Sequence, residues 1–555
     1  MDRFWTRNYP PGVPAEIDVA EYGSLIALFE ESFAKHHAAD AYVCLGRAMT
    51  FGEWDDLSCA LASWLQAQGL ARGERVAIMM PNLLQYPVAM AAVLRAGLVV
   101  VNVNPLYTAR ELAHQLKDSG ATAIVILEDF APTLAQVVGG TEIKHIVLCA
   151  SGDMPGGDTQ AERNGAIASG LHSVTRFNDA IAAGRGLKLK RHDIRGDDVA
   201  VLQYTGGTTG ISKGATLLHK TIIANLLASE AWTLPGMQRK PRTGQFTIVC
   251  ALPLYHVFAF ITCGLLGMRL GALNILVPNP RDIAGMIATF AQHKLHMFPA
   301  VNTLFNGLAG NTEFAKLDFS ELAISNGGGM KVQESVASKW LTVTGCPIIE
   351  GYGLSETSSG VTCNRADSQE YTGTIGLPLP NVEIRILDDD GQALPPGQPG
   401  EIAIRGPQVM AGYWRRDDET AAAMTADGFF KSGDIGIMDE RGYTTIVDRK
   451  KDMVLVSGFN VYPNEIEEVA SKHPDVLESA AIGVPDANTG EAVMLFVVRR
   501  NAALTEADLA RHCAEQLTGY KKPRHIRFRD ELPKSNVGKI LRRALREEVL
   551  RTLRT

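Results

Sequence analysis

The stretch from Tyr204 to Ala215 constrains this chain more than any other. It reads Tyr-Thr-Gly-Gly-Thr-Thr-Gly-Ile-Ser-Lys-Gly-Ala and follows the apolar run 199–202. Glycines let a backbone approach a ligand closely and point consecutive N–H groups inward, as in an anion-binding nest. The threonine and serine hydroxyls add donors, and Lys213 adds a positive charge. This chemistry suits a polyphosphate.

The loop differs from a Walker A loop. In that motif, lysine directly follows the last glycine and precedes a serine or threonine. Here the order is Gly210-Ile211-Ser212-Lys213-Gly214. A glycine-rich surface turn is the alternative interpretation, but so dense a cluster after a buried type of strand favours a phosphate site.

The same residues resemble the phosphate-binding signature of adenylate-forming enzymes. This superfamily includes acyl- and aryl-CoA synthetases, peptide-synthetase adenylation domains and firefly luciferase. Further family motifs follow in order along essentially the whole chain. Four stretches resemble in particular the bacterial long-chain fatty acid–CoA ligases of the FadD type, namely 79–87, 101–107, 448–453 and 532–543.

The resemblance implies an activity. ATP and a fatty acid would give acyl-AMP and pyrophosphate, and the thiol of CoA would then displace AMP. ATP and CoA are thus the expected co-substrates and Mg²⁺ the expected cofactor. Two close alternatives stay open: an acyl-AMP ligase that loads a carrier protein, and a CoA ligase for medium-chain or aromatic acids.

Two further alternatives belong to other classes. An inactive binding or scaffold protein is disfavoured because Lys213, Glu356, Asp434, Arg449 and Lys539 are all present. A P-loop kinase or phosphatase is disfavoured because the lysine is displaced from its position in that motif.

The first 130 residues alternate helix and strand patterns. Thr50-x-x-Glu53 and Thr108-x-x-Glu111 are capping boxes that predict helix starts. Alternation of this kind indicates βαβ units and mainly parallel sheets. Residues 151–198 interrupt it with a turn-rich, exposed connection, and the alternation resumes after the phosphate loop to about residue 365.

The expected fold class is therefore α/β. A large N-terminal adenylation domain (1–447) would contain two βαβ-type sheets and a small β-rich subdomain (about 374–447). A small, mobile α+β lid domain would follow (448–555). By resemblance, Asp448 and Lys451 form the hinge between the two domains.

Composition excludes several function classes. A chain of 555 residues is too long to form a single hydrophobic core, so we expect two or more domains. Its net charge of −7 gives no overall attraction to nucleic acid. The eight cysteines form no C-x-x-C pair, and the N-terminus lacks an apolar signal region, so we expect a cytoplasmic protein. Arg269 and three glycines interrupt the apolar tract 257–277, which predicts a buried helix and strand rather than a membrane span.

Loose attachment to a membrane surface and a homodimer are family expectations that the sequence leaves open. With them, the expected partners are the fatty acid, ATP and CoA, and no nucleic acid.

The resemblance also assigns a nucleotide site. In Glu350-Gly351-Tyr352-Gly353-Leu354-Ser355-Glu356, Ser355 replaces the usual threonine. Tyr352 would stack near adenine, Ser355 would meet phosphate, and Glu356 with Thr205 would hold Mg²⁺. Ser432-Gly433-Asp434 resembles the ribose-binding motif, although threonine is commoner in the first position, and Arg449 would reach ribose or phosphates. The assigned nucleotide-binding residues are Tyr204, Thr205, Gly206, Gly207, Thr208, Thr209, Gly210, Lys213, Gly327, Gly328, Gly329, Tyr352, Gly353, Ser355, Asp434 and Arg449.

The chemistry also needs a cation between two anions, since a carboxylic acid is ionised at pH 7 and must approach an α-phosphate. By resemblance, Lys539 bridges them, and the catalytic set is Lys539, Glu356, Thr205 and His256. His256 is expected as the wall or gate of the acyl pocket, with an ordinary core histidine as the alternative. Tyr255, Val301 and Leu304 complete the expected pocket.

Overall fold

The computed structural model describes residues 3–154, 170–205, 212–457, 459–486, 488–535 and 538–554. Helices and strands alternate along most of these ranges. The helices are α1 (Leu25–His36), α2 (Phe51–Ala67), α3 (Gln85–Arg95), α4 (Ala109–Ser119), α5 (Ala131–Ala135), α6 (Phe177–Arg185), α7 (His219–Met237), α8 (Val257–Ala259), α9 (Leu266–Arg269), α10 (Ile283–Phe290), α11 (Asn302–Ala309), α12 (Glu334–Thr344), α13 (Asp417–Ala423), α14 (Pro463–Ser471), α15 (Glu506–Gln516) and α16 (Arg542–Arg554).

The strands belong to two large and two small sheets. They are β1 (Asp40–Cys44), β2 (Arg47–Thr50), β3 (Arg75–Met79), β4 (Val99–Asn102), β5 (Ala121–Leu127), β6 (His145–Cys149), β7 (Val174–Arg176), β8 (Val199–Tyr204), β9 (Gly214–Leu218), β10 (Thr247–Cys250), β11 (Leu273–Leu276), β12 (Met297–Ala300), β13 (Ile324–Gly327), β14 (Ile348–Leu354), β15 (Ser359–Cys363), β16 (Leu377–Pro378), β17 (Glu383–Leu387), β18 (Gly400–Arg405), β19 (Gly412–Tyr413), β20 (Phe430–Met438), β21 (Thr444–Arg449), β22 (Val454–Val456), β23 (Phe459–Val461), β24 (Val476–Asp486), β25 (Gly490–Arg499) and β26 (His525–Arg529).

The first large sheet has the order β19-β9-β8-β4-β3-β5-β6-β7 and is parallel from β8 to β7. Its central strand β5 is buried at every position, as expected for a parallel strand covered on both faces. Both predicted capping boxes are confirmed at the starts of α2 and α4. Gly120 ends α4 with φ 61°, a left-handed conformation that glycine adopts without a Cβ clash.

The second large sheet has the order β16-β15-β14-β13-β12-β10-β11-β1-β2. Its strands β11, β10, β12, β13 and β14 are parallel, and Ala300, Gly327 and Glu350 lie side by side across three of them. Ligands of open parallel sheets bind outside the carboxyl ends of the strands. The segments that follow β12, β13 and β14 therefore meet at one edge.

The apolar tract 257–277 forms a buried helix followed by strand β11, as predicted. The helix consists of α8, a π-helical turn over Phe260–Leu265, and α9. In the part of the chain that the structure describes, no helix is long and apolar enough to cross a membrane.

A four-stranded antiparallel sheet, β17-β18-β20-β21, follows the large sheets. The last unit contains β23-β22-β25-β24, with β26 parallel to β25, and helices α14 to α16. The fold is thus mixed α/β, with a large N-terminal part and a small C-terminal part. The predicted boundary at residue 448 stays a proposal, and β21 continues two residues past 447.

All eight cysteines lie within the described ranges, and none is in a disulfide. Seven are buried, and Cys59 is partly buried. Burial raises the pKa values of several of these thiols, including those of Cys44 and Cys363 to about 12. The thiols whose pKa values are raised are therefore protonated.

Candidate active site

One continuous cleft of about 3110 Å³ opens between the large sheets, the antiparallel sheet and the C-terminal unit. It brings together most of the residues that the sequence singled out. Those that line it are Tyr204, Thr205, Lys213, Tyr255, His256, Val301, Gly328, Gly329, Tyr352, Gly353, Ser355, Glu356, Asp434, Asp448, Arg449, Lys451 and Lys539.

Two of the predicted site residues that the structure describes do not line this cleft, and five others, Gly206, Gly207, Thr208, Thr209 and Gly210, lie outside the described residues. Leu304 packs between two hydrophobic clusters instead. Gly327 is buried at the end of β13, where a Cβ would lie 2.7 Å from Val332.

The two ends of the phosphate loop are tied together. The Thr205 amide donates to the Lys213 carbonyl at 2.9 Å, and the Ser212 hydroxyl donates to the Thr205 carbonyl at 2.6 Å. These bonds continue the antiparallel pairing of β8 with β9, in which Tyr204 faces Gly214. The hairpin therefore fixes where the loop begins and ends.

Tyr352, Asp434 and Arg449 form one connected group. The Tyr352 hydroxyl donates to Oδ2 of Asp434 at 2.6 Å, and Nε of Arg449 lies 3.2 Å from Oδ1. Asp434 is only 4% exposed. A buried carboxylate needs hydrogen-bonding or charged partners, and the Tyr352 hydroxyl and the Arg449 guanidinium are those partners. The group offers a carboxylate, a phenol and a guanidinium to a ligand in the cleft.

Glu356 lies in the short helical turn after β14, and the Tyr413 hydroxyl donates to its Oε1 at 2.9 Å. Burial raises the pKa of Glu356. Gly353 is required nearby, because a Cβ there would lie 1.9 Å from the Ser359 carbonyl oxygen. The Gly-rich motif thus allows the chain to double back and present Glu356 to the cleft.

Lys539 enters the cleft from the C-terminal unit. Burial, with Arg449 nearby, lowers its pKa to about 7. Gly538 beside it has φ 76°, and a Cβ there would lie 2.6 Å from Oγ1 of Thr303. The loop carrying Lys539 therefore lies tightly against the segment that follows β12.

His256 precedes α8, and its Nδ1 accepts a weak hydrogen bond of 3.4 Å from the Phe258 amide. Burial, and the positive charge of Lys539, lower the pKa of His256 to about 4. The imidazole is therefore neutral at pH 7. With Nδ1 accepting from the backbone, it fits a wall of the cleft better than a base.

Gly328 and Gly329 line the cleft beside Phe258. A Cβ at Gly328 would lie 2.9 Å from the Phe258 ring, and Gly329 has φ 75°. Glu350, which we did not single out from the sequence, is 6% exposed and accepts a hydrogen bond of 2.7 Å from the Val332 amide. Burial raises its pKa to about 7.

The hinge prediction falls on a buried carboxylate. Asp448 accepts from the amides of Arg449 at 2.7 Å and Asn464 at 2.8 Å, and Arg542 lies 3.3 Å away. Burial raises the pKa of Asp448 to about 6. Burial also lowers the pKa of Lys451, which lines the cleft.

Six residues that carry no sequence motif also line the cleft. Three have hydroxyl groups, Ser229, Thr233 and Thr262, and the other three are Trp232, Leu266 and Cys363. We call the part of the cleft lined by Trp232, Leu266 and Cys363 the apolar arm. Trp232 is 2% exposed, and its indole N–H donates to the Asn364 carbonyl at 2.9 Å. Tyr9 packs edge-on against it with the ring centroids 5.0 Å apart. Trp232 is therefore a rigid wall.

Sequence reasoning also missed a polar network beside the phosphate loop. Lys213 forms an ion pair with Glu419. Arg416 joins Glu419 at 3.1 Å to Asp118 at 2.9 Å, and Asp118 accepts from the Tyr204 hydroxyl at 2.7 Å. Arg416 and Glu419 are only three residues apart, but the contacts of Lys213 with Glu419, of Arg416 with Asp118 and of Tyr204 with Asp118 join distant parts of the chain, so no spacing rule reveals them.

Two family models match this chain. The AMP-binding enzyme model matches residues 29–414, and the model of the AMP-binding enzyme C-terminal domain matches residues 465–539. The chain belongs to the AMP-binding enzyme family.

Relatives of this AMP-binding enzyme match its sequence over nearly its full length. A long-chain fatty acid–CoA ligase of Yersinia pestis is 50% identical over 99% of this chain and 98% of its own. A long-chain fatty acid–CoA ligase of Bacillus subtilis is 34% identical over 98% of each chain. ATP-bound MatB from Rhodopseudomonas palustris superposes with a TM-score of 0.82 at 30% identity, covering 94% of this chain and 98% of MatB. An anthranilate CoA ligase in complex with anthranoyl-AMP shares the fold, with a TM-score of 0.84 at 24% identity, covering 97% of this chain and 100% of its own.

Proposed function

We propose that this enzyme is an ATP-dependent long-chain fatty acid–CoA ligase. The observation that carries the proposal is the meeting of Lys539 with the Tyr352–Asp434–Arg449 group in one cleft that also has an apolar arm. Full-length relatives at up to 50% identity that are long-chain fatty acid–CoA ligases support the same substrate class.

The first half-reaction joins two anions. A carboxylate oxygen of the fatty acid attacks the α-phosphorus of ATP, and the bond to the bridging oxygen of the β-phosphate breaks, so pyrophosphate leaves with that electron pair. We propose that Lys539 lies between the carboxylate and the α-phosphate. Its pKa of about 7 lets a nearby polyanion hold it protonated.

Asp434 has the chemistry to accept from the ribose hydroxyls, and Arg449 to pair with ribose oxygens or phosphate. Tyr352 would flank the adenine, with Gly328 and Gly329 on the border of that site. Lys213, Thr205 and Ser355 would contact the β- and γ-phosphates. These roles are proposals that rest on the shared cleft and on the chemistry of each side chain.

Mg²⁺ fits the residues present. It prefers one or two carboxylates together with phosphate oxygens and water. Glu356 is a carboxylate in the cleft, and the Thr205 hydroxyl lines the same cleft. Within the described residues, no cluster of three His, Cys, Asp or Glu side chains forms a metal cage. We propose that Glu356 and Thr205 hold the ion, which would neutralise phosphate charge when bound.

The second half-reaction needs the CoA thiol to reach the acyl-adenylate, and we propose that it does so from the side of the cleft where Lys539 now lies. The CoA sulfur attacks the acyl carbonyl carbon, the bond from that carbon to the AMP oxygen breaks, and the thiol proton passes to solvent. We propose that the unit after Asp448 rotates about Asp448 and Lys451 to withdraw Lys539 and admit CoA. Movement of a lid between two half-reactions is an established way to separate them.

Tyr255, His256, Val301 and Trp232 all line the cleft. We propose that the acyl chain lies there. We also propose loose contact with a membrane surface during collection of the acid, for which Leu106, which is 56% exposed and lines the cleft, is a candidate contact residue. Co-sedimentation with vesicles that contain oleate tests this contact, and light scattering tests the expected homodimer.

The decisive experiment is AMP release by purified protein with ATP and Mg²⁺, across fatty acids of short to very long chain, with and without CoA. Strong CoA-dependent turnover that peaks with long chains is expected. Adenylate that accumulates despite CoA and is consumed by an acyl carrier protein would instead favour carrier loading. No AMP with any acid would refute the proposal.

A further inference from the structure

The ammonium of Lys213 has a partner in this structure that the proposed reaction does not use. Lys213 is the one lysine of the loop sequence from Tyr204 to Ala215. It forms an ion pair with Glu419, and its Nζ lies 4.9 Å from the centre of the Tyr413 ring. The hydrogen bond between Lys213 and Glu419 is the largest of the causes that lower the pKa of Glu419. The Lys213 ammonium, which we expect at the phosphates of ATP, is thus paired with a carboxylate in this structure.

This ion pair can be broken by a competing anion. The two side chains are 35% and 37% exposed, and exposed pairs of this kind contribute about 0.2–1 kcal/mol. A polyphosphate carries several negative charges and can therefore outcompete one carboxylate. Both Lys213 and Glu419 line the cleft that would hold it.

Glu419 itself is held in place. It lies on α13, which follows strand β19, and Tyr413 of β19 pairs with Ala215 just beyond the loop. Arg416 bonds to Glu419 at 3.1 Å and is anchored by Asp118 at 2.9 Å. When Lys213 leaves, Arg416 still compensates the charge of Glu419, so the carboxylate stays where the lysine can return to it.

We propose that Glu419 is an exchange partner for Lys213. It holds the Lys213 ammonium when the polyphosphate site is empty, and it competes with the β- and γ-phosphates of ATP, and with pyrophosphate, for that ammonium. The inference rests on the proposed function. Its consequence is that Glu419 weakens the retention of pyrophosphate and thereby promotes product release.

The test compares Glu419→Gln with the wild type and with Asp418→Asn. The glutamine keeps an acceptor for Arg416 but removes the charge. Asp418 is exposed in the same helical turn and does not line the cleft, so its variant makes the same change in net charge without touching Lys213. Calorimetry would measure the Kd values of pyrophosphate and of AMP for each protein.

Glu419→Gln should bind pyrophosphate about 2- to 5-fold more tightly than the wild type, as expected for an exposed pair. AMP lacks the β- and γ-phosphates, so its Kd should not change. Asp418→Asn should match the wild type. In a Lys213→Met background the effect of Glu419→Gln should vanish, since no ammonium remains to compete for.

Unchanged or weaker pyrophosphate binding by Glu419→Gln would overturn the proposal, as would an equal gain for AMP. Kinetics give a second measurement. In ATP–pyrophosphate exchange, the KM for ATP should fall by a similar factor. If the wild type exchanges no pyrophosphate with any fatty acid, the proposed function fails; if it does and Glu419→Gln behaves like it, only the role of Glu419 fails.

Discussion

Asp434 and Arg449 face each other across the antiparallel strands β20 and β21, and their side chains form an ion pair of 3.2 Å. The register of two strands thus places a carboxylate and a guanidinium side by side at the cleft. Arg449 also adjoins Asp448, the residue that we propose as part of the hinge, whose carboxylate is fully buried. The proposed nucleotide contacts and the proposed lid movement would therefore share one strand.

Removal of the Asp434 carboxylate should weaken ATP binding more than removal of the Tyr352 hydroxyl. Asp434→Ala leaves the Arg449 charge and the Tyr352 hydroxyl without their partner, and it removes the proposed ribose acceptor. We expect a rise of about 10²-fold in the KM for ATP, since charged hydrogen bonds contribute about 1.5–3 kcal/mol. Tyr352→Phe removes a single hydrogen bond and should cost about 10-fold or less. Steady-state kinetics with varied ATP measure both, and equal effects would contradict the proposed ribose contact.

Lys539 should matter for one half-reaction only. Lys539→Ala removes the cation between carboxylate and α-phosphate, and adenylation should slow by about 10²–10³-fold. Conversion of supplied oleoyl-AMP and CoA to oleoyl-CoA should stay within about 2-fold of the wild type, because the proposed rotation of the lid would withdraw Lys539 for that step. Equal loss in both assays would show that Lys539 acts through stability and not through its charge at the first step.

An ion pair between the two parts of the molecule should bias the enzyme toward adenylation. Lys331 and Glu468 lie 2.7 Å apart, one on the loop after β13 and the other on α14. Lys331→Glu should slow adenylation about 2- to 5-fold without slowing thioester formation, as expected for an exposed pair. The charge-swapped double variant with Glu468→Lys should recover the rate. Failure of the swap would indicate that the contact does not stabilise this arrangement.

Trp232 should limit the length of the acyl chain. Trp232→Ala opens the wall between the apolar arm and Tyr9, and the preferred chain length should shift upward in a competition assay with mixed saturated acids. Trp232→Phe keeps much of the volume and should shift it less. Because large-to-small changes cost about 3–5 kcal/mol in a core, thermal unfolding must accompany the assay. An unchanged profile in a folded variant would place the end of the chain elsewhere.

The raised pKa of the buried Glu350 carboxyl predicts that the stability of the fold depends on pH. Burial raises its pKa from 4.5 to about 7, so between these pH values the folded chain holds a proton that the unfolded chain has lost. Stability from this group is therefore lost as pH rises from about 4.5 to 7. Glu350→Gln keeps the acceptor for the Val332 amide and removes the charge. It should stabilise the fold by about 1–3 kcal/mol at pH 8 and change little at pH 4. Thermal unfolding at pH 4 and at pH 8 measures this change in stability. Equal shifts of the melting temperature at the two pH values would contradict the raised pKa of Glu350.

The parts of the candidate site that are local could be singled out from the sequence. The phosphate loop, the motif ending in Glu356 and the Gly538-Lys539 turn each combine a conformational need with a chemical group in a few adjacent residues. Capping at Thr50 and Thr108 was predictable for the same reason, because a helix start depends on residues three apart.

Contacts between distant residues were not predictable in this way. Tyr204 and Asp118 are 86 residues apart, and no periodicity connects them. Trp232 lies on α7 with ordinary helical spacing, so its place in the wall follows only from how α7 packs. Leu304 shows the converse, since a motif-adjacent apolar residue was assigned to the pocket and lies between two hydrophobic clusters instead.

The burial of the cysteines would make the proposed lid movement directly observable. With seven thiols inside the protein and Cys59 only partly accessible, we expect the natural chain to react little with maleimide dyes. One cysteine introduced on the exposed face of the large part and one on the lid would therefore carry a donor and an acceptor with little background. Single-molecule energy transfer could then follow the alternation between the two half-reactions in an otherwise unmodified enzyme.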